Sequence, residues 1–293
     1  MIPIKKIFID SKARAVGSTS TSNFIIDLPE SYTMPEDCAF HIDGVCIPCS
    51  WYIVRQNFND SLVIATKDET LAAPNNVEKY YELTIPEGHY DGDSLASAIN
   101  NLMPNSGANA LYSPYTFSVT FFKPSAKIQI SAKLVGATGT KYFKVLTDSE
   151  IKTIQKSGAI PTSTIYPFYS LNTILGNTGT TSAQHQHSNP WMSGSIDFNP
   201  IKYVLIRSPN FGTFMTVNAL HGEKTIVKKV MTNNAKFGDI IADYIRSGED
   251  LLDCSKQTLR RLGFRLSDEG GNDLDLNGHD CSFSIVFSLK AKE

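Results

Sequence analysis

A chain of 293 residues with 41% apolar and 19% charged side chains, 27 basic against 29 acidic groups and a formal net charge of -2 should expose about 12,000 Å² folded against about 47,000 Å² unfolded. It therefore buries a large core without a disulfide framework, which excludes intrinsic disorder, and its near-neutral charge offers no field to draw nucleic acid. The odd count of five cysteines in a long chain fits thiols kept reduced inside a cell.

The opening stretch MIPIKKIFIDSKAR has too few consecutive apolar residues for a signal peptide, and no apolar run approaches the roughly 18 to 20 residues of a membrane span, so neither is expected. Runs rich in β-branched and aromatic residues then predict strands at Asn23 to Leu28, Phe40 to Ile47, Trp51 to Arg55 and Leu62 to Thr66.

The middle of the chain reads differently. After a strand over Tyr81 to Ile85, SLASAINNLMP places Leu95, Ile99, Leu102 and Met103 on one helical face, with Asp93 as cap and Pro104 as stop. Strands follow at Tyr115 to Phe122, Ala126 to Leu134 and Lys141 to Leu146. A short helix starts at Thr147 with a capping box to Glu150 and stops near Gly158, and Ser170 to Gly176 forms a further turn. Thr178 to Gly194, polar and small except for Trp191 and Met192, is the best linker candidate.

Strands resume at Lys202 to Arg207 and Thr225 to Met231, while Asp239 to Leu252 fits either a helix or an extended run with a bend. Near the end, Arg260, Leu262, Phe264 and Leu266 point one way and Arg261, Gly263 and Arg265 the other. Cys281, Phe283, Ile285, Phe287 and Leu289 alternate with Ser282, Ser284, Val286 and Ser288, so the two runs read as a pair of antiparallel strands. The residues thus predict a mainly β sandwich or barrel with an α+β insertion: residues 1–79 and 181–293 build the two halves, and 80–180 the insertion.

Three kinds of chemistry are weighed. Cys46 and Cys49 have C-x2-C spacing with Cys38 upstream, and His185 and His187 form a second pair, but Pro48 and strand alternation send the cysteines to opposite faces, so they read as buried thiols and no metal is expected. Asp268, Glu269, Asp273, Asp275 and Asp280 could supply oxygen ligands for calcium. Their loop lacks the alternation of an EF-hand and reads as a hairpin loop whose Gly and Asn supply positive φ. Nucleophilic catalysis would need Cys281 with His279, or Ser50; Cys281 falls on an apolar strand face, and the G-x-S-x-G, H-E-x-x-H and P-loop signatures are missing, so neither enzyme activity nor a cofactor is expected. Arg261 and Arg265, on one strand face, suit contact with an acidic partner or another subunit.

Four phrases in order along the chain, IFIDSKAR with SNFIIDLPE, DGVCIPCSWYIV, YELTIPEGHYDGDSLASAINNLM and LRRLGFRLSDEGGNDLDLNGHDCSFSIVFSL, together resemble the penton, or minor capsid, proteins of virophages and Polinton-type DNA viruses. The resemblance implies a single jelly-roll sandwich with an inserted domain, closed as a homopentamer at the fivefold vertices of an icosahedral virion assembled inside the host cell. Its implied partners are further copies of itself and a double jelly-roll major capsid protein, with a host receptor or glycan as an additional candidate. Trp51 and Tyr52, within the second phrase, join Arg261 and Arg265 as candidate subunit-interface residues. The alternative is a trimeric jelly-roll head that binds carbohydrate or a receptor through the insertion, where Tyr80, Tyr81, Tyr90, Tyr112 and Tyr115 could stack on sugars, with Tyr90 and Tyr112 as the leading contacts.

Overall fold

In the computed structural model, residues 1–69, 77–103, 115–134, 141–156, 170–186, 188–211, 216, 224–233, 235–244 and 251–289 are described. His187 and Tyr112, and the expected helix stop at Gly158, lie outside them. The chain divides into two units, Met1–Trp51 with Ile201–Glu293, and Tyr52–Pro200.

The first unit holds β1 (Lys6–Asp10), β2 (Asn23–Thr33), β3 (Cys38–Pro48), β10 (Tyr203–Arg207), β11 (Ile226–Met231), β12 (Ile240–Asp243), β13 (Leu252–Asp253), β14 (Thr258–Ser267) and β15 (Ser282–Leu289). All pairings are antiparallel. One sheet runs β1-β15-β3-β12, with β13 against the other half of β3, and the second runs β11-β10-β14-β2. Successive strands therefore cross from sheet to sheet, except at the β10–β11 neighbours, which is the strand order of an eight-stranded jelly roll once β12 and β13 count as one interrupted strand. The residues of Asp239 to Leu252 that are described next to β3 are extended, not helical.

The alternation that predicts the terminal strands also fixes which side they bury. Ile7 and Ile9, Leu262, Phe264 and Leu266, and Phe283, Ile285 and Phe287 all enter one core. Contrary to the sequence reading, β14 and β15 do not pair with each other: each buries an apolar face, and the two faces meet across the sandwich, where the Phe264 and Phe283 rings pack edge-on at 5.0 Å. Two bulges adjust the phase. Between Asp43 and Cys46 the register shifts at Gly44, φ +57°, so that Val45 and Ile47 face inward as Phe40 and Ile42 do. A second shift between Leu259 and Arg261 turns Arg260 outward, where plain alternation would have placed it with Leu262.

The second unit is a continuous insertion between β3 and β10. It holds β4 (Ser61–Asp68), β5 (Lys79–Thr84), α1 (Gly92–Leu102), β6 (Tyr115–Phe122), β7 (Lys127–Leu134), β8 (Lys141–Val145), α2 (Asp148–Lys156), α3 (Asn172–Leu175) and β9 (Trp191–Met192), with three-stranded sheets ordered β5-β4-β8 and β6-β7-β9. It begins at Tyr52, where the sequence reading has 80, because β4 pairs with β5 and β8. It ends at Pro200, where the reading has 180, because the supposed linker is tied in: His185 bridges Phe143, β9 pairs with β7, and Trp191 is buried in the unit's core. Trp51 to Arg55 forms no strand apart from a single bridge, Val54 to Gly88.

Helix α1 is capped by Asp91, two residues before the expected Asp93. The Asp91 backbone is extended, its carboxylate accepts from Ser94 N–H at 2.8 Å, and Ser94 Oγ accepts from Asp91 N–H at 2.9 Å, a reciprocal box. Asp93 instead pairs with Lys123 at 3.0 Å on the surface. The cap of α2 is as the sequence indicates, with Thr147 N–H donating to Glu150 Oε2 at 3.0 Å. After α3 the chain turns through Gly176, φ +63°, and passes against Gly194, where an added Cβ would stand 2.6 Å from the Gly176 carbonyl oxygen. Backbone cannot yield as a side chain does, so Gly194→Ala is expected to lower stability by about 1–3 kcal/mol in urea unfolding, against little change for the exposed Gly179→Ala, where an added Cβ meets nothing closer than 3.6 Å.

Candidate functional site

The outer face of the β11-β10-β14-β2 sheet carries a groove of about 500 Å³, lined by Ile25, Pro209, Asn210, Arg261, Gly263 and Arg265 among others. It exists because Leu262, Phe264 and Leu266 point into the core, which turns Arg261, Gly263 and Arg265 outward together. Gly263 has no side chain to fill the gap between the two arginines. Its N–H donates to Asn210 Oδ1 at 2.6 Å and its carbonyl accepts from Ser208 Oγ at 2.7 Å, which holds the segment after β10 as one wall.

Each arginine is steered along the rim. Arg261 donates to Asp27 Oδ2 at 3.3 Å and to the Val16 carbonyl at 2.7 Å; Arg265 pairs with Asp273 and donates to the Gly271 carbonyl at 2.8 Å. Exposed pairs of this kind contribute only about 0–1 kcal/mol, so their effect is orientation of the guanidinium groups. Beside Arg265, its register partner Arg207 is buried and donates from Nε to Ser267 Oγ at 2.7 Å. Burial first, then the neighbouring Arg265 charge, holds its guanidinium below the ordinary value, against the pull of Asp268 and Asp273. The structure thus brings Arg261 and Arg265 together as the sequence suggests.

The acidic loop has other work. Asp268 accepts from Asn272 N–H at 2.9 Å and from its side-chain amide, closing the turn, while Asp273 takes Arg265 and the Asn23 amide. Gly271, Asn277 and Gly278 have positive φ, the turn chemistry expected of them. Among the described residues no group of three or more His, Cys, Asp or Glu is placed to hold a metal ion. Cys38 and Cys49 lie in the core and Cys46 on the other face of β3.

Other candidates are placed differently from what their residue types suggest. Trp51 is 4% exposed and packs in the sandwich core, which corrects its reading as an interface residue: its large ring is worth more buried than presented. Tyr52, the first residue of the inserted unit, is half-buried. Tyr90 packs against the second core and donates to the Pro86 carbonyl at 2.7 Å, and Tyr115 is buried, donating to the Lys67 and Tyr142 carbonyls. The Tyr115 ring is closed to stacking, whereas Tyr90 is half-buried. Burial pushes the Cys281 thiol up to about 12, its sulfur facing the Thr21 carbonyl, and Ser50 Oγ donates to the Leu276 carbonyl at 2.7 Å. Both are bound into the fold as structural groups.

Two imidazoles of the inserted unit give a pH dependence in the same direction, because burial lowers His89, against the Asp91 charge, as it lowers His185. Burial holds the His185 imidazole below its ordinary value, against the raising effect of the Asn189 and Pro190 carbonyls. The unfolded chain then takes the proton first as pH falls, so stability is full above the unfolded value of about 6.5 and declines below it until the folded imidazole is also protonated. Urea midpoints read from Trp191 fluorescence should fall between about pH 7.5 and 5.5, with a smaller fall in His185→Gln; an equal fall would assign the effect elsewhere.

The residue missed by sequence reasoning is Phe8. In KIFID three apolar residues stand in a row, and period two lets only Ile7 and Ile9 enter the core, so Phe8 is 77% exposed on the outer face of the β1-β15-β3-β12 sheet. Around it that face carries the small residues Ser282, Ser284, Cys46 and Ala242 together with the charged Lys6, Asp10 and Asp43. No helix among the described residues is long and apolar enough to cross a membrane.

No family model matches the chain, and no curated protein matches it in sequence. Among solved structures it is similar to the crystal structure of the mavirus penton protein, with a TM-score of 0.51 and 9% sequence identity, covering 97% of this chain and 100% of that one. The chain shares the fold of that penton protein. The likeness runs over the jelly roll and the insertion alike, so the inserted unit is part of the shared architecture. At 9% identity it is the arrangement of strands, not the side chains of any site, that the two have in common.

Proposed function

We propose that the protein is a structural capsid subunit, a penton that closes as a homopentamer at the fivefold vertices of an icosahedral virion among capsomers of a double jelly-roll major capsid protein. The observation that carries this reading is the jelly-roll strand order with a large insertion after its third strand, shared over 97% of the chain with a protein described as a penton. A role without catalysis agrees with the fixed, buried state of Cys281 and Ser50. In this reading the jelly roll fills the vertex and the insertion contacts neighbouring capsomers or a host surface.

Cryo-electron microscopy of particles made by co-expressing the chain with its major capsid protein tests the assignment. Density for five copies at each vertex is expected. Particles whose vertices are filled by another chain would overturn it.

A further inference from the structure

We propose that adjacent copies join through a knob and a groove, Phe8 of one copy seating against Gly263 of the next; this rests on the vertex reading above. The two features are made by the same rule of alternation. Ile7 and Ile9 are in the core and leave Phe8 outside on one sheet, while Leu262 and Phe264 are in the core and leave Gly263 outside on the other. One is a large aromatic ring, 77% exposed with the Lys6 ammonium 5.2 Å from its centre; the other is a gap of about 500 Å³ lined by Ile25, Pro209 and Gly263.

The charged residues flanking them match in spacing. Phe8 lies between Lys6 and Asp10 on its strand, and Gly263 lies between Arg261 and Arg265; each flanking pair is four residues apart, about 13 Å along a strand. Across Ser284, which stands opposite both, Phe8 also neighbours Asp43, whose carboxylate holds Lys6 Nζ at 3.3 Å. The knob is thus bordered by Asp10 at one end and a Lys6–Asp43 pair at the other. The groove is bordered by Arg261–Asp27 and Arg265–Asp273. Laid together, Asp10 comes to one guanidinium and the Asp43 carboxylate to the other, and each arginine, with five N–H donors, shares them between its own aspartate and the neighbour's.

The knob and the groove lie on the outer faces of opposite sheets of one sandwich. A contact between them is therefore heterologous, head to tail, and each copy keeps one knob and one groove for the next, as ring closure requires. A two-fold dimer would need both features on the same face.

The test uses the full chain and native mass spectrometry. Phe8→Asp removes the knob at a solvent-facing position, and Gly263→Leu fills the groove; Gly263→Ala is the control, since a Cβ there meets nothing closer than 3.5 Å. Trp51 fluorescence checks that each variant is folded. The first two variants should lose the wild-type ring, with association weakened about tenfold or more per contact, while Gly263→Ala keeps it. Mixed, Phe8→Asp offers only a groove and Gly263→Leu only a knob, so they should form a heterodimer and nothing larger. A photo-crosslinking residue at position 8 of the otherwise native chain should attach to the neighbour's Pro209 to Gly263 region, a readout independent of Gly263→Leu folding. Wild-type ring mass in both variants, or crosslinks elsewhere, would overturn this contact and leave the vertex reading standing. A wild-type chain that stays monomeric at all concentrations would overturn both.

Discussion

Phe264→Ala should destabilise the jelly-roll unit by about 3–5 kcal/mol, a large share of the 5–15 kcal/mol that holds a typical protein folded. The ring sits where the two sheets meet: it packs on Phe24 of the neighbouring strand at 5.8 Å, on Phe211 at 6.4 Å, and edge-on against Phe283 of the opposite sheet at 5.0 Å. Removing it leaves a void lined by three aromatic rings that are themselves fixed in the packing, so collapse recovers little. Phe264→Leu, which keeps most of the volume, should cost roughly half as much or less. The two tryptophans make the measurement selective, because Trp51 belongs to the sandwich core and Trp191 to the insertion core. In a Trp191→Phe background, the urea midpoint followed by Trp51 should fall sharply. A loss under about 1 kcal/mol would mean that the sheets are not held together through this ring.

Asp243→Ala should cost a comparable amount, about 3–5 kcal/mol, by a different route. Asp243 on β12 and Lys228 on β11 belong to different sheets, and their charged groups meet at 3.4 Å across the edge of the sandwich, with side chains only 14% and 7% exposed. Lys228 Nζ also reaches the Ile42 carbonyl at 3.4 Å. Deleting the carboxylate leaves an ammonium whose side chain is only 7% exposed, whereas replacing both partners, Lys228→Met with Asp243→Leu, should bring stability back to near the wild-type value. A single variant as stable as the double would show that water reaches Lys228 freely.

The strand runs were legible because period two depends on local sequence. The sheet they join was not. Arg260 to Leu266 and Cys281 to Leu289 are neighbours in sequence with a turn-rich stretch between them, which is the signature of a hairpin, yet β14 and β15 pair with β2, β10, β1 and β3. Both have one apolar face, and facing each other across the core buries more of it than lying side by side. The same non-local choice hid the boundary at Tyr52: nothing in Leu62 to Thr66 announces that its partners are β5 and β8.

At the groove, alternation alone placed Arg261 and Arg265 on one face. The bulge at Arg260 did not announce itself, because it is imposed by the partner strand β2. Gly263 was visible only as a residue between two arginines, and its importance as a gap appears once Pro209 and Asn210 are seen to form the wall. Trp51 illustrates the opposite error. An aromatic residue in a family phrase suggests a contact surface, but the chain turns inward there and the ring completes the core. Phe8 could have been found in the sequence, since three consecutive apolar residues in a two-sided strand must leave one of them in water.

The low charge, 19% of residues, takes on a location in the structure: Ser282, Ser284 and Ser288 occupy the outward positions of a central strand, where a covering subunit removes little strongly hydrated surface. Whether five copies cover one another in this way is decided most directly by the native mass of the purified chain. An assembly of five copies of the 32.3 kDa chain is expected. A stable trimer would contradict it and point to a receptor-binding head in place of a vertex.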